Sequence, residues 1–67
     1  MNDFSPWHSI LMEAKDKRNR VSILVAGTYK PYTGFVRSLN EVMVSLDNEY
    51  SNEYIMLADI KALRVYY

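Results

Sequence analysis

The chain has 67 residues, 49% of them hydrophobic and 24% charged, with eight Lys and Arg balanced by eight Asp and Glu. That is one domain at most, too apolar for a disordered segment and without the basic surplus that nonspecific DNA binding needs. With no cysteine and a single histidine, His8, it has no disulfide, no thiolate metal site and no multi-histidine zinc site.

A core this small barely offsets the conformational entropy of ordering the chain. Without disulfides or a metal, self-association is the remaining aid, so an oligomer is expected. No apolar run approaches the ~20 residues of a membrane span. The opening MNDFSPWHSI lacks the basic start and apolar core of a signal peptide, so a cytoplasmic protein is expected.

Ser5-Pro6 is a helix start, with Ser as cap and Pro at the first helical position. Trp7, Ile10, Leu11 and Ala14 follow at helical spacing, and Lys15, Lys17, Arg18 and Arg20 crowd the far end. This predicts a helix over about 6–18. From Arg20 the period changes to two, with Val21, Ile23 and Val25 on one phase. The expected strands are about 20–26, 29–39, 42–47, 54–58 and 62–67. Pro31 cannot donate to a ladder and belongs at an edge or bulge. Gly34 marks a bend where a small sheet folds over itself. Residues 47–53 read as a polar loop, and Asp59 and Ile60 as a short corner. One helix followed by five short strands predicts a mostly β fold with an N-terminal α-helix, a strongly bent five-stranded barrel filling a single domain over 1–67.

That order resembles the Sm-like family of Sm, LSm and Hfq proteins, and is most similar to Hfq. Val21-Ser22-Ile23 leading to Gly27 is similar to the family's first strand and turn. Gly34, Val36 and Asn40 fit its Gly-x-hydrophobic-x-x-x-Asp pattern, with Asn in place of Asp. Val42, Val44 and Leu46 fit the third strand. The resemblance covers about residues 5–66. It implies an SH3-like barrel and a homo-oligomeric ring closed by pairing the fourth and fifth strands of neighbours. It also implies binding of single-stranded RNA, no cofactor, and a phage-like or metagenomic source with a bacterial cytoplasm as its setting. Pairing edges head to tail would also remove two unpaired strand edges, and such a contact closes into a ring where the rotation allows.

The resemblance fails where the family reads RNA. Glu41 and Val42 stand where Hfq offers an amide and an aromatic ring, and a carboxylate repels phosphate. Leu57-Ala58-Asp59 stands where the family carries a cation, with Lys61 slightly downstream. Of this pore region, Asn40 and Lys61 are the residues left to touch RNA. The usual uridine pocket is therefore expected to be degraded.

Two other surfaces are candidates. Lys15, Lys17, Arg18 and Arg20 form a basic cluster, and Lys15 and Arg18 match an arginine-rich rim in Hfq. The same cations also complement the helix dipole, which by itself accounts for their position. Tyr29 and Tyr32 flank Lys30, an arrangement able to stack bases on the face opposite the helix. Strands also favour tyrosine for packing. Glu41, Asp47, Glu49 and Glu53 make the second half acidic, either facing solvent or meeting a neighbour's basic helix end. No Ser/His/Asp set, phosphate loop or useful carboxylate pair is present, so no enzyme is expected. The alternatives to an RNA-binding ring are a structural ring that holds another protein, and a monomeric SH3-like adaptor.

Overall fold

The computed structural model describes residues 5–67. The first four residues of the opening segment, read above against a signal peptide, lie outside them.

Helix α1 spans Pro6–Lys17. Its start is capped by the Ser5 hydroxyl, which accepts from the Trp7 amide at 3.1 Å, and Pro6 lies in the first turn. The helix stops one residue short of the expected end. Arg18 is left-handed there, at φ 58 and ψ 38, and the Asn19 amide donates back to the Ala14 carbonyl at 3.0 Å. A left-handed residue cannot continue the spiral and turns the chain into the sheet.

Five strands follow: β1 (Arg20–Val25), β2 (Tyr32–Leu39), β3 (Met43–Asp47), β4 (Asn52–Met56) and β5 (Ile60–Tyr66). They form one antiparallel sheet in the order β4-β3-β2-β1-β5. A 3-10 turn, Leu57–Asp59, separates β4 from β5.

Local chemistry sets the strand ends, and several differ from the sequence expectation. Thr28 donates its amide and hydroxyl to the Val25 carbonyl, at 3.0 and 2.7 Å, and so ends β1. Tyr29 and Lys30 lie in the turn and Pro31 just outside the ladder, so β2 begins at Tyr32 rather than Tyr29. The Asn40 carboxamide oxygen accepts from the Val42 and Met43 amides, each at 2.9 Å, and closes the β2–β3 turn. Asn48 does the same for Tyr50 and Ser51 at 2.8 and 2.9 Å. That tight turn confines the expected 47–53 loop to residues 48–51 and starts β4 at Asn52. Side chains of Asn favour such turns because they mimic a backbone carbonyl. At the corner, the Leu57 amide donates to Val42 and the Ala26 amide to Asp59, both at 2.8 Å. These bonds curl residues 57–59 out of β4, and β5 begins at Ile60.

The core lies between α1 and one face of the sheet. Leu11 and Ala14 of the helix meet Val21, Ile23, Val44 and Leu46 of the strands. Leu11, Val21, Ile23, Val44 and Leu46 have no exposed surface at all. The ladder shifts register between Leu24 and Val25 and again between Val36 and Ser38. At Gly34 the Asp47 carbonyl oxygen lies 2.6 Å from where a Cβ would stand. No helix among the described residues is long and apolar enough to cross a membrane.

Candidate nucleic-acid interface

The end of α1 and the β2–β3 pair enclose a groove of about 480 Å³. Lys15 and Arg18 line one wall, and Phe35, Arg37 and Asp47 the other. Lys15 reaches it from the last helical turn, and Arg18 from the left-handed cap. Arg37 is the residue skipped where the β2–β3 register shifts, and it is exposed. Three cations thus converge from two elements that are distant in sequence. Phe35 is 49% exposed, one of several large apolar side chains open to solvent.

Phe35 also belongs to a row across the sheet. It is the register partner of Asp47 on β3 and of Arg20 on β1, and Arg20 is the partner of Tyr66 on β5. Directly opposed residues share a face and stand ~5 Å apart. The row therefore reads Asp47, Phe35, Arg20, Tyr66. The Arg20 guanidinium sits 5.6 Å from the Tyr66 ring centroid, a cation–π contact. Beyond it a second groove of about 350 Å³ is lined by Tyr29, Pro31, Arg64 and Tyr66 among others.

The residues picked from sequence fall into different places. Lys15 and Arg18 share the groove, whereas Lys17 pairs with Glu13 at 2.8 Å across one helical turn. The hydrogen bond, then the charge, of Lys17 holds the Glu13 carboxyl below its ordinary range, and Glu13 in turn raises Lys17. Arg20 lies on the outer sheet face against Tyr66. Tyr29 is almost fully exposed, but Tyr32 is half-buried against the core, so the expected pair of stacking rings around Lys30 is not formed. The alternation of β2 explains this: Tyr32 is opposite the buried Ile23. Lys30 is exposed in the turn, and Lys61 is exposed on β5 outside both grooves. Asn40 spends its carboxamide oxygen on its own turn, beside exposed Glu41 and Val42.

Phe35 and Arg37 were missed because each reads as an ordinary strand residue, and Asp47 reads only as part of an acidic stretch, not as a groove residue. The outward phase of Phe35 beside Gly34 was the only available signal. Arg37 shares the outward phase of Phe35, but nothing local in the sequence places the helix end beside either of them. Among the described residues, Lys15, Arg18, Arg37 and Asp47 make no ion pair, so their charges face solvent.

No family model matches the chain, and no curated protein matches it.

Proposed function

We propose that this chain is a subunit of an Sm-like, Hfq-like homo-oligomeric ring that binds single-stranded RNA at its rim. The observation that carries the RNA half is the convergence of Lys15, Arg18 and Arg37 around the exposed Phe35 ring. Cations supply phosphate contacts, and an aromatic face stacks a base whatever its identity. Repetition of the groove around a ring would raise the effective concentration of weak sites.

The ring half is supported by the sheet order. Among the described residues, β4 and β5 are the two edges, each without a strand partner on one side, and a three-residue turn joins them. That is the arrangement in which the fourth strand of one subunit can add to the fifth of the next. The two register shifts and the close approach at Gly34 support a strongly bent sheet of the Sm-like kind.

Light scattering at micromolar concentration tests the ring. A mass several times the 7.9 kDa of the chain is expected, and a stable monomer would sink the reading. Titration with oligo-U and oligo-A RNA at two salt concentrations tests binding. Replacing Lys15, Arg18 and Arg37 together by alanine is expected to weaken binding and to lower the salt slope by about 2, at ~0.7 per phosphate contact. Lys17→Ala, which removes a cation outside the groove, is expected to leave affinity within about twofold.

A structural ring that holds another protein is the second reading. It is favoured by the β2–β3 turn, where Asn40 is committed to its own backbone and Glu41 presents a carboxylate. An intact ring that binds neither RNA at low salt would decide for it.

A further inference from the structure

We propose that the Phe35 site prefers guanine, with Asp47 and Arg20 as its specificity-determining residues; this rests on the RNA-binding reading above. Asp47, Phe35 and Arg20 stand in one row across the sheet. A base stacked on the exposed Phe35 ring has a carboxylate on one flank and a guanidinium on the other. Two strand spacings of ~4.8 Å separate those flanks by about 10 Å, room for one base between their side chains.

The two flanks ask for opposite chemistry. An ionised carboxylate only accepts hydrogen bonds, and a guanidinium only donates them. Asp47 is exposed and its carboxylate has no ion pair among the described residues, so its oxygens are open to a ligand. Arg20 is steadied by the Tyr66 ring beneath it. No hydrogen bond or ion pair among the described residues engages the Arg20 N–H groups, so they remain open to an acceptor.

Guanine is the base that matches both. Its O6 and N7 are adjacent acceptors, the pair that arginine binds bidentately. Its N1–H and N2–H are adjacent donors on another edge, matched to the two oxygens of a carboxylate. Uracil offers a single N–H between two carbonyls. Cytosine offers donors only at its amino group, and adenine sets a donor beside an acceptor on each edge. Lys15, Arg18 and Arg37 remain for the flanking phosphates.

The test is fluorescence anisotropy with labelled UUGUU, UUAUU, UUCUU and UUUUU at low salt. UUGUU is expected to bind on the order of tenfold more tightly than the others, the scale of one bidentate base contact. Asp47→Asn is expected to bring the four within about threefold of one another. Arg20→Gln is expected to narrow the preference in the same way. Both side chains are exposed, and circular dichroism checks that the variants remain folded. Equal binding of the four by the wild type, or a preference that survives Asp47→Asn, would overturn guanine selection and leave the RNA-binding reading standing. Failure of all four to bind would overturn that reading and guanine selection with it.

Discussion

Leu11→Ala is expected to remove about 2–5 kcal/mol of stability, close to the whole margin of a domain this size. Leu11 is fully buried, and with Ala14 it seats α1 on the sheet. Truncation removes apolar contact and leaves a cavity that the neighbouring strands cannot close without losing their ladder bonds. A net stability of roughly 3–10 kcal/mol follows from the usual per-residue range. The variant should therefore be largely unfolded at moderate temperature. Thermal melts followed by circular dichroism, at one fixed protein concentration because assembly adds to apparent stability, check this. Ile10→Ala on the exposed side of the same helix is the control, since Ile10 keeps 42% of its surface in solvent. Its melt should move by only a few degrees. Equal losses at both positions would mean that the helix does not dock through Leu11.

The second large effect is expected at Gly34. A Cβ there would meet the Asp47 carbonyl oxygen at 2.6 Å and its carbon at 3.1 Å. Both atoms belong to the backbone of β3, which is held in the ladder on both sides. No side-chain rotation relieves the clash, so β2 and β3 must separate. Overpacking of this kind costs about 1–3 kcal/mol, and a backbone obstacle belongs at the upper end. A drop in melting temperature of roughly 10–20 °C follows for a domain of this length. Gly27→Ala makes the informative contrast. Gly27 has open space around it but φ of 85°, so alanine there meets conformational strain alone, on the order of 1 kcal/mol. Gly34→Ala melting no lower than Gly27→Ala would show that β3 yields easily at Asp47.

Gly34 also shows how far the sequence could be read. The lone glycine inside an alternating strand reads as a bend, and the structure shows a close approach of another backbone there. The sequence could not say which backbone comes close, because Asp47 is brought there by the β2–β3 register. The same limit explains Tyr29 and Tyr32. Their spacing around Lys30 suggested two rings on one surface. Once Pro31 ends the turn and β2 begins at Tyr32, the pleat sends Tyr32 toward Ile23 and leaves Tyr29 outside.

The guanine preference and the rim reading depend on the same kind of information. Lys15 and Arg18 were visible as cations at a helix end, where the dipole favours them whatever their use. Arg37 joins them only because the end of α1 packs beside β2, and Asp47 faces Phe35 only through strand pairing. None of these contacts is local, so no periodicity records them.

By itself the sequence determined the elements and their order. Helical spacing of Trp7, Leu11 and Ala14, the Ser5-Pro6 start, and the period-two runs of β1 and β3 are local patterns, set by how each residue type sits on a helix or a pleat. It also shows that the 67 residues include no cysteine. Tertiary structure alone decided the register, the two shifts in it, and the residues they set side by side. The physical reason is that pairing is settled by the burial of a whole face at once, through contacts between residues far apart in the chain.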